Sequence, residues 1–172
     1  GMLDAAVDAT LICRLNDLNN VEETLKANKG QVACIIVEPL VHNMGAVQLE
    51  QTFLEGLSKL CNEYGAKLIF DEVVTGFRVG LSGYQGICGV TPDMCTMGKA
   101  IGNGYPIAIL AGKAELMDMF NTTPEGTVSF QGTYNAPPVC LAAGIKVMDI
   151  MEREPVHQRI FELGARFRSG MQ

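Results

Sequence analysis

The 172-residue sequence predicts an α/β fold with a mostly parallel β-sheet that is covered by helices on both faces. Two continuous apolar runs, "VACIIVEP" at 32–39 and "KLIFDEV" at 67–73, are typical of strands that are buried on both faces. Between them, "EQTFLEGLSKLCNEYG" repeats apolar residues at helical spacing and ends in a glycine. Strand, helix and strand in this order predict a right-handed crossover, so the two strands should lie side by side and parallel.

The other elements follow in chain order. Asn20 as N-cap and Glu23 three positions later predict a first helix over 20–29. Five glycines within 72–92 predict a long ordered loop in place of a regular helix. The runs "DMCTM" and "PIAILAG" predict two short strands. The sequence predicts the remaining helices at 113–120, 138–151 and 155–169, with a loop between the first two.

The composition limits the kinds of protein that this chain can be. With 48% hydrophobic and 19% charged residues, it has the composition of a globular domain. A net charge of -6 argues against nucleic acid or an anionic membrane as a partner. The six cysteines are far apart and form no CxxC pair, so no zinc motif or disulfide scaffold is indicated and we expect a reducing, cytoplasmic compartment. No apolar run reaches the length of a membrane span.

Polar side chains follow three of the predicted strands. Glu38 comes after "IIV", Asp71 after "LIF", and Lys99 just beyond "MCTM". Ligands of open α/β sheets bind outside the carboxyl ends of the strands, so we expect these groups at one edge. Lys99 is surrounded in sequence by small and apolar residues, where desolvation would favour a neutral amine that can form a Schiff base.

These groups suggest pyridoxal 5'-phosphate as the cofactor. Its aldehyde needs a lysine and its ring nitrogen needs an acidic partner, roles that Lys99 and Asp71 could fill. An alternative stays open for each residue. Lys99 could be a surface lysine in a glycine-rich turn, Asp71 a carboxylate that caps backbone amides, and Glu38 a surface acid at a strand end. Nucleotide binding is not supported, because a Walker loop would need glycine at Asp93 and Ser or Thr at Ala100, and only half a dinucleotide fingerprint is present.

Four stretches, "IIVEPLVHNMG", "FDEVVTGFRVG", "TMGKAIGNGYP" and "GTYNAPPVCLAAG", resemble the class III, ornithine-type aminotransferases of the fold-type I pyridoxal-phosphate enzymes. Within that family the chain is most similar to the glutamate-1-semialdehyde 2,1-aminomutases and their aminotransferase relatives. The resemblance implies a three-layer α/β/α large domain and a homodimer, or higher homo-oligomer, with shared sites. Family members are much longer, so we expect residues 1–172 to be part of the cofactor-binding large domain, without the family's N-terminal segment and small C-terminal domain.

The resemblance also implies a role for individual residues. Lys99 would bind the cofactor aldehyde and move the proton between Cα and C4', while Asp71 would pair with the pyridine nitrogen. Val73 would pack on one face of the ring, and Asn43 would lie near its 3'-oxygen. Thr133 would reach the cofactor phosphate of the partner subunit; its alternative is an ordinary turn threonine.

The implied reaction is the transfer of an amino group between an amino acid, or an amino aldehyde, and an oxo-acid. Glu38 resembles the family's strand-end glutamate and is predicted to face the substrate. The run "NAPPVCL" departs from the Asn-Pro-Leu pattern of the aminomutases, which favours an aminotransferase and leaves aminomutase activity as the alternative. A second alternative is a catalytically silent α/β chain that self-associates. No metal site is indicated.

Overall fold

The computed structural model describes residues 1–124 and 126–171. Short 3-10 helices span His42–Met44, Lys99–Ile101 and Asp118–Phe120. In chain order, the helices and strands are α1 (Asp4–Asp8), α2 (Leu18–Ala27), β1 (Cys34–Val37), β2 (Leu40–Val41), β3 (Val47–Gln48), α3 (Gln51–Tyr64), β4 (Lys67–Glu72), α4 (Gly83–Cys88), β5 (Met94–Met97), β6 (Ile109–Gly112), α5 (Ala114–Met117), α6 (Pro138–Arg153) and α7 (Val156–Ser169).

A four-stranded sheet with the order β1-β4-β5-β6 forms the centre of the fold. Strands β1, β4 and β5 are parallel, and β6 runs antiparallel to β5. In this register Ile36 lies beside Ile69, and Asp71 lies beside Thr96. The predicted α/β fold with a mostly parallel sheet is confirmed, including the crossover from β1 through α3 to β4. A small antiparallel pair, β2 and β3, was not predicted.

The hydrophobic core lies between one face of the sheet and helices α2 and α3. Side chains of a strand alternate between faces, and in β4 Leu68 and Phe70 point into this core and are fully buried. Helix α3 presents its apolar stripe to the same face through Phe53, Leu54, Leu57 and Cys61. The period of the sequence therefore determines which face each element buries.

The opposite face of the sheet is open at β1. Ile36 is 62% exposed and Cys34 is exposed as well, so the prediction that this strand is buried on both faces is wrong. Helix α3 has a single apolar stripe and covers only one face. Helices α6 and α7 pack on each other, and α6 also packs on the 3-10 helix after β5, so neither provides a cover for β1.

The structure shifts one predicted helix and adds two short α-helices that were not predicted. Helix α2 begins at Leu18 because Asp17, and not Asn20, is its N-cap: the Asp17 carboxylate accepts a hydrogen bond from the Asn20 N–H at 3.0 Å. The predicted loop over 72–92 contains the short helix α4, and α1 was not predicted. The helices predicted after residue 112 are confirmed as α5 with its following 3-10 turn, α6 and α7; the loop before α6 includes residue 125, which lies outside the described residues.

Candidate active site

The carboxyl ends of three parallel strands meet at one edge of the sheet. Because β1 and β4 are in register, Glu38, the residue after β1, follows at the level of Asp71. Asp71 lies beside Thr96 in β5, and Lys99 begins the 3-10 helix shortly after β5 ends. The topology therefore brings Glu38, Asp71 and Lys99 to the same edge.

Asp71 is half-buried on the sheet face opposite the core. Its Oδ1 accepts a hydrogen bond from the Val73 N–H at 3.0 Å and a longer one from the Thr96 hydroxyl at 3.4 Å. The alternative interpretation, a carboxylate that caps a backbone amide, therefore describes one of its two oxygens. Within residues 1–124 and 126–171, Oδ2 accepts no hydrogen bond, so it remains available to a further donor.

Lys99 begins its 3-10 helix with a backbone φ of 47°, a left-handed conformation that is uncommon outside glycine. Ile101 anchors the turn in the protein interior, whereas the Lys99 side chain is exposed. The expectation that Lys99 is desolvated is therefore wrong for this chain, because the turn directs the lysine outward. Gly102 keeps the turn tight, because a Cβ there would overlap the Tyr105 carbonyl oxygen.

A cavity of about 550 Å³ opens beside Lys99. Helix α7 is held against it by a hydrogen bond from the His157 ring nitrogen to the Phe77 carbonyl, at 2.8 Å. Asp71 does not line this cavity, which therefore gives access to the amine but does not join it to the carboxylate. Besides Lys99, the walls include Phe77, Arg78, Val147, Ile150, Val156 and Ile160. A cavity of about 600 Å³ beside α4 and β6 contains none of the predicted site residues.

The other predicted site residues have different environments. Val73 is half-buried, and its Cγ1 is 3.7 Å from the position that a Cβ on Gly98 would take, so it lies next to the Lys99 turn. Glu38 is half-buried and accepts a long hydrogen bond, 3.4 Å, from the backbone four residues later. Asn43 is exposed in the 3-10 helix that follows. Thr133 is exposed in a turn before α6 and, in the described part of the chain, has no hydrogen bond to this edge.

Sequence reasoning missed Glu72 and Thr96. Glu72 is fully buried and accepts hydrogen bonds from the residues that follow β4, whereas Thr96 donates to Asp71. Strand alternation was the signal that could have located both. If Asp71 faces one side of β4, Glu72 must face the other, and the residue paired with Asp71 in β5 shares its face.

Comparison with known proteins identifies similar sequences. The family model described as "Aminotransferase class-III" matches residues 5–172. A "Glutamate-1-semialdehyde 2,1-aminomutase" of Thermosipho africanus is 44% identical over 172 residues, which is 99% of this chain and 40% of that protein. The chain thus spans about two fifths of the length of this relative.

Solved structures with the same fold are also found. The crystal structure of an omega-transaminase from Sphaerobacter thermophilus superposes with a TM-score of 0.91 at 33% identity, over 99% of this chain and 39% of that one. A glutamate-1-semialdehyde-aminomutase from Pseudomonas aeruginosa, solved in complex with PMP, superposes with a TM-score of 0.79 at 28% identity, over 91% and 36% of the two chains.

Proposed function

Because the chain belongs to the aminotransferase class-III family, we propose that it is the cofactor-binding part of a pyridoxal-phosphate-dependent aminotransferase. The proposed reaction transfers an amino group between an amino acid, or an amino aldehyde, and an oxo-acid. The observation that supports it best is the position of Asp71 near the carboxyl end of β4 and of Lys99 just after the neighbouring parallel strand β5, at the edge where ligands of α/β sheets bind.

The chemistry of the available groups fits this cofactor. The Lys99 amine is exposed and, among the described residues, forms no ion pair. Asp71 has one oxygen held by Val73 and Thr96, and a second oxygen that accepts no hydrogen bond from the described residues. A primary amine and a fixed carboxylate with a spare acceptor are the groups that an aldehyde and a pyridine nitrogen require.

Each proposed residue has a separate task. When bound, pyridoxal phosphate supplies an aldehyde and an electron-withdrawing pyridine ring. Lys99 would hold the aldehyde carbon and, once displaced by substrate, would move a proton between the substrate Cα and the C4' atom. Asp71 would accept the hydrogen bond of the ring nitrogen and keep its proton in place. Val73 would support one ring face.

Three further assignments belong to the same proposal. Asn43 would contact the 3'-oxygen of the ring, and Glu38 would face the substrate. Thr133 would bind the cofactor phosphate in the partner subunit, so we propose a homodimer with shared sites. Its exposure in a turn before α6 is compatible with a contact to a second chain. For the whole protein we propose a cytoplasmic location.

Titration of the 172-residue chain with pyridoxal phosphate tests the proposal. We expect a visible absorption band from the lysine-bound cofactor, and borohydride reduction should attach the cofactor covalently to Lys99, as located by peptide mass spectrometry. Lys99→Arg preserves the charge but cannot bind the aldehyde, so the band should disappear. Lys29→Arg, the same substitution at an exposed lysine away from the edge, is the matched control and should retain the band.

The outcomes separate the proposal from its alternatives. A band that persists in Lys99→Arg, or a cofactor attached to another lysine, would show that the assignment of Lys99 is wrong. Absence of binding, together with self-association in gel filtration, would favour the catalytically silent α/β chain. Binding and turnover are separate measurements, because we expect little or no turnover from these residues alone.

Glutamate-1-semialdehyde 2,1-aminomutase activity is the second candidate. One observation favours it: the 44% identical relative from Thermosipho africanus has this name. The two candidates differ in their need for an acceptor. The complete cofactor-loaded protein would convert glutamate-1-semialdehyde without an added oxo-acid if it is an aminomutase, whereas an aminotransferase would consume an amino donor and an oxo-acid in equal amounts.

A further inference from the structure

Glu72 is a fully buried carboxylate with four hydrogen-bond donors around it. The residue is 0% exposed. Oε2 accepts from the Thr75 hydroxyl at 2.9 Å and from the Tyr84 N–H, and Oε1 accepts from the Gln85 N–H and side-chain amide, both at 3.2 Å. A buried carboxylate is costly unless its oxygens are paired, so this complete set of donors explains how Glu72 is tolerated in the interior.

Two of the four donors belong to the start of helix α4. The first N–H groups of a helix have no partner within it, and those of Tyr84 and Gln85 are directed to Glu72 instead. Gly83 allows this approach: its φ is 65°, and a Cβ there would lie 2.5 Å from Oε2. Glu72 thereby fixes α4 to the end of β4.

Glu72 also fixes the turn that follows β4. Its carbonyl oxygen accepts a hydrogen bond from the Gly76 N–H at 2.8 Å, while its side chain holds Thr75. A Cβ on Gly76 would lie 2.8 Å from that carbonyl, so the turn approaches β4 closely. Val73 is the first residue of this turn, and its N–H is the donor that holds Oδ1 of Asp71.

We propose that Glu72 is a positioning residue for Asp71: by holding the turn at Thr75 through its side chain, it places the Val73 N–H that orients the Asp71 carboxylate. Two adjacent acids of β4 then have distinct tasks on opposite faces of the sheet. One would contact the cofactor, and the other sets its direction from the protein interior. The value of this orientation for catalysis rests on the proposed function, but the orientation itself does not.

Amide hydrogen exchange in Glu72→Gln tests the inference without any cofactor. Glutamine replaces one carboxylate oxygen by an NH₂ group. This group is itself a donor, so the N–H or O–H groups that donated to that oxygen lose their acceptor. We expect protection of the Tyr84 or Gln85 amide to fall about tenfold or more, since hydrogen bonds to charged groups are among the stronger ones. The Val73 amide should lose protection as well. Glu23→Gln makes the same charge change at an exposed site and should alter none of these amides.

A second variant covers the case in which Glu72→Gln does not fold. Thr75→Val has nearly the same shape and removes only the hydroxyl donor to Glu72, and we expect it to lower the protection of Val73 to a smaller extent. Unchanged protection of Val73 in the variants that fold, whatever happens at Tyr84 and Gln85, would overturn the inference, because Glu72 would then anchor α4 alone.

A spectroscopic readout connects the inference to the proposed function. With pyridoxal phosphate bound, we expect the pH midpoint of the absorption band to shift in Glu72→Gln and not in Glu23→Gln, because the orientation of Asp71 affects the ring nitrogen. If the wild-type chain shows no band, the proposed function fails, and the exchange at Val73 still decides the role of Glu72.

Discussion

Asp93→Ala is expected to destabilise the protein by about 2 kcal/mol. Asp93 is 7% exposed at the start of β5, and its carboxylate accepts a hydrogen bond from the Leu68 N–H at 2.8 Å and from the Lys113 Nζ at 2.6 Å. Alanine leaves the buried Leu68 N–H without an acceptor, which costs about 1–3 kcal/mol. For a chain of this size, a loss of about 2 kcal/mol lowers the melting temperature by about 4–8 °C, which circular dichroism would measure.

The effect of Asp93→Ala should also depend on pH. Burial acts to raise the pKa of the Asp93 carboxyl, but the hydrogen bonds from Lys113 and Leu68 and the nearby positive charges outweigh it and hold the pKa below its ordinary value of 3.8. A lowered folded-state pKa means that this stabilisation is complete above the unfolded-state pKa and is lost as pH falls through the folded value. The difference in unfolding free energy between the wild-type protein and Asp93→Ala should therefore have its full value at pH 7 and should become smaller below pH 3.8.

Two matched variants identify which contact matters. Asp93→Asn retains an oxygen that can accept from Leu68, so its loss should be smaller than that of Asp93→Ala. Lys113→Gln removes only the ion-pair partner of Asp93, whose side chain is 51% exposed. Because exposed ion pairs add little stability, the loss of unfolding free energy should be the smallest for this variant. Equal losses for Lys113→Gln and Asp93→Ala would refute the reasoning, because the ion pair would then outweigh the buried hydrogen bond.

Two other predictions concern glycine and cysteine. Gly83→Ala and Gly89→Ala both place alanine at a left-handed φ, 65° and 66°, but only a Cβ at Gly83 would meet Glu72, whereas Gly89 faces open space. Urea unfolding should therefore show a larger loss of stability for Gly83→Ala. Equal losses of stability would contradict the close contact with Glu72. Burial raises the pKa of the Cys61 thiol to about 11, so at pH 8 iodoacetamide should modify it about a hundredfold more slowly than a thiol of ordinary pKa. Mass spectrometry should find the exposed Cys34 modified first, and similar rates would contradict the burial of Cys61.

The regular parts of the fold were predictable because their signals are local. The apolar runs that became β1 and β4, and the helical spacing of α3 ending at Gly65, depend on periodicity and on one left-handed residue. Helix α4 was not predictable in the same way. Its glycines suggest a loop, and its start is stabilised by Glu72, twelve residues before Tyr84, a tertiary contact that no local pattern contains.

The sequence predicted the sheet edge at which the candidate site lies better than it predicted which of the site's side chains are buried or exposed. The rule that parallel strands end at one edge placed Glu38, Asp71 and Lys99 correctly in the topology. The exposure of Lys99 was not predictable, because sequence neighbours do not determine whether other elements cover a side chain. Likewise, strand alternation places the two acids after "LIF" on opposite faces, but alternation alone does not determine whether Asp71 or Glu72 is the one that the interior encloses.

The adjacent acids of β4 make the length of this strand critical. Asp71 and Glu72 point to opposite faces, so a one-residue insertion or deletion upstream in the strand would exchange their positions, sending the edge carboxylate into the packed interior and the interior one outward. Such a shift of register changes neither acid, yet it would remove both the proposed cofactor contact of Asp71 and the positioning contact of Glu72. Changes in chain length should therefore be strongly disfavoured between Leu68 and Val73.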